Sequence, residues 1–437
     1  MNRPHLAPVL GLRDGLAMLV GVVIGVGILR TPGLIAAQLP SPWLILAAWG
    51  LGGVMVALST FVFAELATQL PQAGGKYVYA RAAFGDTTGF VVGAAELLGL
   101  RSFTASAKAV VIGAYLASLI GGDPRILAGV VVACYLPLHL RGLPTTARVQ
   151  NWASLLKAVF LVAVVGLCLW YGTGESWHAP VAPTAGSLTF LAFALAYQSI
   201  WYTYYGWEDV VKMTEDLRQP ERVMPQILLG GSAAITLLYL LLNIGFLHVL
   251  TPAQMAGSDF VARDALRAAL GGAASTVLTI GGLLLLLGSI NVNFISMPRI
   301  AFGLARDGLA PEAFLTLDRR GTPRAGLYLA IGMVLLLSTT GTVEWLIRFM
   351  TFVSLLVDGV VVLALFQLRR QRPDALRPFT VPFYPWLPLV VAAMYAGILV
   401  MVIATQPRLA LGGTAVLVTL IIVGIWGQKA RDRVHPG

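Results

Sequence analysis

GLAMLVGVVIGVGILRTPGLIAAQLP, residues 15–40, is the stretch on which the fold turns. It is long and apolar enough to cross a bilayer, which takes about 20 mostly apolar residues. Gly21, Gly25 and Gly27 fall on its middle, and Pro32 follows. Proline removes a backbone donor and crowds the carbonyl one turn earlier, here that of Ile28. Glycine accepts non-helical dihedrals, so unwinding near residues 25–28 costs little. The competing reading is close helix packing, because Gly21-x-x-x-Gly25 is a small-xxx-small pattern.

A second stretch shifts the balance. SLTFLAFALAYQSIWYTYYGWEDVVKMTED, residues 187–216, would make about 45 Å of helix, against a hydrocarbon core of about 30 Å. Its first part is apolar. An aromatic cluster of Trp201, Tyr202, Tyr204 and Tyr205 then meets Gly206, Trp207, Glu208 and Asp209. Two carboxylates near mid-span are costly unless the backbone there opens onto a cavity. Alternatively the span ends at Tyr205 and a cytoplasmic amphipathic helix begins, an arrangement that Lys212 and Arg218 permit.

Outward from these two, the chain reads as twelve spans: 11–36, 43–70, 84–119, 125–141, 149–171, 187–216, 225–250, 271–305, 322–340, 343–368, 383–404 and 408–427. The longest connection, about 251–270, carries a surface helix from Ala262 to Leu270. Hydrophobic types make up 57% of the 437 residues and charged types 11%, and mean hydropathy is +0.81. A soluble domain carries about 25% charged residues. This excludes a cytosolic enzyme, a disordered chain and a disulfide scaffold. The net charge of +10 does not point to nucleic acid, because the basic residues sit in short loops instead of one patch. With both termini in the cytoplasm, most Lys and Arg fall inside, and Arg125, Arg263, Arg267 and Arg408 outside, as the positive-inside rule requires. The first apolar run reads as a retained span, not a cleaved signal.

The two candidate breaks lie five spans apart. Interrupted helices at matching places in two halves suggest an inverted repeat with a midplane site between them. Exposed N–H groups of one half-helix hold an anion, and exposed carbonyls of the other hold a cation. A zwitterion fits such a site.

Three blocks of residues carry a resemblance. The first is Gly25-Val26-Gly27-Ile28 with Thr31-Pro32-Gly33. The second is Ala64-Glu65-Leu66, then Pro71, Ala73-Gly74-Gly75, Tyr77, Tyr79 and Ala83-Phe84-Gly85. The third is Tyr205-Gly206-Trp207, Glu215, Pro220 and Pro225, supported by Arg299 and Ala305-Arg306-Asp307-Gly308. With these in order, the chain resembles the amino acid–polyamine–organocation superfamily, particularly amino acid permeases akin to the L-type transporters. The resemblance runs from about Leu12 to Phe383. It implies an all-α, LeuT-like fold: a first five-helix repeat at 11–171, an inverted second at 187–368, two additional helices at 383–427, and a cytoplasmic tail at 428–437. It also implies site residues. Backbone N–H groups of Val26, Gly27 and Ile28, beside Gly25, hold the substrate carboxylate. The carbonyls of Val23, Tyr202, Thr203 and Tyr205 hold its ammonium. Tyr202 stands at an aromatic gate, with Trp207 beside it. Many relatives carry Ser, Ala or Thr where this chain has Val26, and L-type members carry Asn where it has Glu208. That acid either favours a cationic side chain or is neutralised by Lys212 one turn later.

Lys157 lies about 12 Å inside the cytoplasmic end of its span. It either snorkels or has a function, since intramembrane lysine is costly. The resemblance puts it where sodium-coupled relatives bind their cation, donating to the Gly25 carbonyl and to Ser296 of span 8. It then serves as a proton-coupling group or a fixed tether.

Arg101 and Lys108, seven apart with Glu96 nearby, read as structural charges facing the bundle. Glu65 and Arg81 read as inner-surface structure. Asn291 and Asn293 are helix glue or cavity lining. Cys134 and Cys168 read as small buried hydrophobes, and no extracellular loop cysteine exists for a disulfide-linked subunit. His139, His178 and His248 lack ligand spacing, so no metal is expected, nor any cofactor. No P-loop, HExxH or GxSxG occurs, which argues against a pump or a membrane hydrolase. The expectation is a sodium-independent secondary transporter of neutral amino acids in the plasma (inner) membrane, working by proton symport or amino acid exchange. Its partners are the amino acid, the lipid bilayer and, under symport, protons. Transport of cationic amino acids or polyamines is the alternative. A channel fits less well, because the polar groups gather at two breaks and form no continuous pore.

Overall fold

The computed structural model describes residues 5–39, 41–177, 190–340 and 343–434. The described chain is helical throughout. The first expected span is two helices, α1 (Leu12–Val23) and α2 (Gly27–Ala36), bent by 48° at the break. Ile24 turns extended there. α3 (Pro42–Gln69) begins on Pro42, where a missing N–H costs nothing. The chain then turns through Gly74 and Gly75 into α4 (Lys76–Phe84). α5 (Asp86–Ala94) runs through one π-helical segment, Ala95–Arg101, into α6 (Ser102–Ile120). α7 (Pro124–His139) is capped by Asp123, whose carboxylate accepts from the N–H groups of Arg125 and Ile126. α8 (Leu143–Tyr171) follows.

α9 (Phe190–Tyr204) stops at the second expected break. Gly206 holds φ +120°, and residues Trp207–Asp216 continue as a tighter 3₁₀ helix. α10 (Pro220–Val249) leads through α11 (Pro252–Ala256) and the amphipathic α12 (Val261–Leu270) to α13 (Ala273–Arg306). α14 (Arg324–Thr340), α15 (Val343–Gln371), α16 (Trp386–Thr405) and α17 (Pro407–Val434) complete the chain. α17 therefore runs on through most of the stretch expected as a tail. Residues 187–189 and His178 lie outside the described residues.

Among the described residues seven helices are long and apolar enough to cross a membrane, and the bent pair α1–α2 makes an eighth. Helices also stand at the four remaining expected positions, as the shorter α7, α9 and α14 and as α17, whose apolar part is Ala410–Trp426. Length and composition thus establish a polytopic membrane protein. Trp43 and Trp170 are exposed at helix ends, as interfacial aromatics are.

α1 packs on α8, α10 and α13, and α10 lies along α3. At Gly113 a Cβ would stand 2.1 Å from the Pro124 carbonyl, so only glycine lets α6 meet the start of α7. At the end of the 3₁₀ segment, polar groups clasp several elements. The Glu215 carboxylate accepts from the N–H groups of Leu6 at 2.8 Å and Ala73 at 2.9 Å, and from Arg306 at 2.5 Å. Arg299 meets Asp216 at 3.2 Å, and Arg81 meets Asp307 at 3.0 Å. Glu65 accepts from Arg369 and from the Val381 N–H, so Glu65 and Arg81 are structural, as expected. Cys168 is buried, but Cys134 is exposed on α7, at the mouth of a cavity between α7, α8 and α13, which corrects the expectation for it.

Candidate functional site

The two breaks meet across one cavity of about 100 Å³. Val23, Gly25, Val26, Gly27 and Ile28 line it from the first break, and Tyr202, Thr203, Tyr205 and Gly206 from the second. The rest of the wall is Val22 of α1, Arg101, Thr104 and Lys108 of the third span, and Leu286 and Ser289 of α13. The residues expected at the site are thus brought together, apart from Glu208, Trp207, Lys157 and Ser296.

At the first break α2 starts afresh, so the N–H groups of Gly27 and Ile28 lack intrahelical acceptors. They are positioned for an anion, with the positive end of the α2 dipole behind them. The breaks are also tied directly. Thr203 Oγ1 donates to Thr31 Oγ1 at 3.0 Å. The Tyr239 hydroxyl lies 3.2 Å from the Val23 carbonyl and 3.3 Å from the Thr203 carbonyl. One hydroxyl proton serves one acceptor at a time, so one of these two carbonyls is always open.

Lys157 is fully buried behind the first break. Its ammonium donates to the Gly21 carbonyl at 2.6 Å and the Ile24 carbonyl at 3.2 Å, not to Gly25 as expected. The cause is where α1 ends: the carbonyls of its last turn have no helical partner and point at the lysine. Ser296 is not among the partners of Lys157 on α13 either; its hydroxyl donates to the Asn293 carbonyl within its own helix. Ser289 stands beside the break instead, donating to the Val22 carbonyl at 3.0 Å.

Glu208 does not face the cavity. Its Oε2 accepts the Gly206 N–H at 3.0 Å, and its Oε1 meets Arg101 closely and Lys76 at 3.3 Å. Lys212 is not its partner, pairing with Asp209 at 2.7 Å and Glu96 at 3.1 Å. In the 3₁₀ segment three residues make a full turn. Lys212 therefore falls under Asp209, not Glu208. Trp207, expected beside the gate, does not line the cavity: it is buried edge-on against Phe63, ring centroids 4.8 Å apart. Tyr202 does line the cavity.

Sequence reasoning missed Arg101, Thr104 and Lys108 as cavity residues. The signal was present, since positions i, i+3 and i+7 share one helix face. Lys108 donates to Asn293 Oδ1 at 2.9 Å, so it is both glue and lining. Asn291 is glue: it meets His139 at 3.0 Å and donates to Gln150 at 2.9 Å. Tyr239, with no charge or unusual spacing, gave no signal.

The sequence is similar to those of known amino acid transporters. The serine/threonine exchanger SteT of Bacillus subtilis is 23% identical over 394 residues, covering 88% of this chain and 88% of its own. The Asc-type amino acid transporter 1 of Mus musculus is 25% identical over 456 residues, 99% of this chain and 84% of its own. The b(0,+)-type amino acid transporter 1 of Mus musculus is 25% identical over 409 residues, 91% of this chain and 83% of its own. Residues 10–426 match the amino acid permease family, and the chain belongs to that family.

Proposed function

We propose that this chain is a secondary active transporter that moves amino acids across the plasma membrane by alternating access, with both termini cytoplasmic. The observation that carries this reading is the meeting of two helix breaks at one cavity. One break offers the N–H groups of Val26, Gly27 and Ile28 to a carboxylate. The other, with Val23, offers carbonyls to an ammonium. Both ends of an α-amino acid are satisfied without any side-chain charge. The Tyr239 hydroxyl moves between the Val23 and Thr203 carbonyls as the ammonium takes the other. Twelve spans in two inverted five-helix repeats, followed by two further helices, accommodate this site, with α1–α2 and α9 with its 3₁₀ continuation as the matching broken pair.

Neutral amino acids are the favoured substrates. No carboxylate lines the cavity among the described residues, while Arg101 and Lys108 do. A cationic side chain buried there would lack a counter-ion. This argues against cationic amino acids and polyamines. Transport is sodium-independent, because the Lys157 ammonium already holds the carbonyls of Gly21 and Ile24 that a cation would otherwise need. Both cysteines lie within helices, which leaves no described loop cysteine for a disulfide-linked subunit. No bond-making chemistry is assigned. Reconstitution into liposomes tests the reading: labelled L-alanine or L-leucine should enter saturably and be expelled by unlabelled amino acid. Uptake that stays linear with concentration would contradict a carrier.

A further inference from the structure

Beside the cavity lies a group of seven ionisable side chains, each no more than 1% exposed: Lys76, Glu96, Arg101, Glu208, Asp209, Lys212 and Asp358. Ion pairs join all of them. Four are carboxylates and three are cations, so the ion-paired group by itself carries a net charge of −1 when fully ionised, and the nearby Lys108 makes no ion pair with it. Burying a net charge costs several kcal/mol even after relaxation. One proton removes it.

The geometry says which carboxylate takes that proton. Asp209 lies against Arg101 and Lys212, both at 2.7 Å. Glu208 has Arg101 and Lys76. Glu96 has Lys76 and Lys212, each at 3.1 Å, and Arg101 at 3.6 Å. Asp358, midway along α15, has Lys76 alone, at 2.6 Å from Oδ1. Its Oδ2 is buried and receives no hydrogen bond among the described residues. Lys76 is itself over-subscribed: its three donors face Asp358, Glu96, Glu208 and the Tyr205 hydroxyl at 3.2 Å. The other elements packed on α15 bring little compensation. Tyr395 of α16 is within electrostatic reach. Lys108 of α6, bonded among the described residues only to the neutral Asn293 and Ser289, is not neutralised by them, but it acts on Asp209 and Glu208 and not on Asp358, while Glu65 of α3 is held by Arg369.

We propose that Asp358 binds one transported proton, so that amino acid movement through this chain is proton-coupled. The proposal rests on the transport reading above and chooses symport within it. A proton from water on one side forms an O–H bond at Asp358 Oδ2, and that bond breaks to water on the other side. The link to substrate is short. When Asp358 is neutral, Lys76 is released to Glu208 and Glu96. Glu208 holds the Gly206 N–H at the second break, and Lys76 touches Tyr205, which lines the cavity. Protonation thus tightens the hold on the broken helix.

The test uses the full chain in liposomes with pyranine inside and the membrane potential clamped at zero. L-Alanine added outside should acidify the lumen. An inward gradient of one pH unit should drive L-alanine to about tenfold above equilibrium. Asp358→Asn should lose both effects while one-for-one exchange of labelled for unlabelled L-alanine persists. Asp358→Glu, which keeps an ionisable group, should retain accumulation. Saturable wild-type uptake with no acidification and no accumulation overturns the proton site and leaves the transport reading intact. Accumulation by Asp358→Asn equal to wild type also overturns it. Absence of saturable uptake overturns the transport reading and the proton site with it. If Asp358→Asn does not fold, the pH dependence of accumulation by Asp358→Glu decides: a midpoint moved from that of wild type supports the site, and an unmoved midpoint overturns it.

Discussion

Gly206→Ala is the sharpest perturbation of the second break. Gly206 holds φ +120° and ψ −13°, outside the region L-residues adopt readily. The added Cβ would meet Val22 Cγ2 at 3.5 Å, an ordinary contact, so the cost is not steric. It lies in the backbone, where holding a non-glycine residue in such a conformation costs about 1–3 kcal/mol. The chain escapes that cost by rotating residue 206 toward negative φ, which pulls its N–H from Glu208 Oε2, now 3.0 Å away. The carbonyls of Tyr202 and Thr203 turn with it. If the strain falls wholly on the binding-competent geometry, affinity for L-alanine drops by roughly 5- to 150-fold. Equilibrium binding of labelled L-alanine to purified protein measures this. Gly230→Ala is the control: it lies inside α10 with nothing within 4 Å of its Cβ, so it should leave affinity unaltered and stabilise the helix slightly. Equal affinities in wild type, Gly206→Ala and Gly230→Ala would refute the reasoning.

Gly25→Val separates site from fold. A Cβ there meets nothing within 4 Å and enters the cavity, so thermal stability should hold. Binding should fall by at least about tenfold, because a charge-assisted hydrogen bond is worth about 1.5–3 kcal/mol; unchanged binding would remove the first break from the site. Replacing sodium by choline should leave uptake unaltered, and a steep dependence on external sodium would contradict the role given to Lys157. Lys157→Ala strips a donor from the Gly21 and Ile24 carbonyls and should lower thermal stability, at about 1–3 kcal/mol for each group left unsatisfied. Unlabelled Arg and Lys should compete with labelled Leu less well than Ala does. Glu208→Gln should weaken transport of every substrate alike, and a selective gain or loss for cationic amino acids would show that Glu208 reads the side chain.

Much of the fold was legible because hydropathy and helix breakers are local signals. Gly25, Gly27 and Pro32 marked the first break, and the run of aromatics before Gly206 marked the second. The partners of buried charges were not legible, since they are set by which spans touch. Lys76, which the sequence did not single out, sits in α4 just after a loop and ends fully buried against Asp358, 282 positions later in the chain. Glu208 was placed beside Lys212 by α-helical spacing. The 3₁₀ continuation changed that spacing, and with it the partner. Lys157 was placed against the first break but on the wrong carbonyl, because where α1 ends is decided by tertiary packing and not by the position of the glycines.

The central claim is that one break holds a carboxylate and the other an ammonium. Displacement of bound labelled L-alanine by L-alanine, ethylamine and propionate tests it most directly, because the last two each lack one of those groups. The account predicts that both displace at least about 100-fold less well than L-alanine, since each forfeits about two charge-assisted hydrogen bonds. Displacement by either at the concentration that suffices for L-alanine would contradict it.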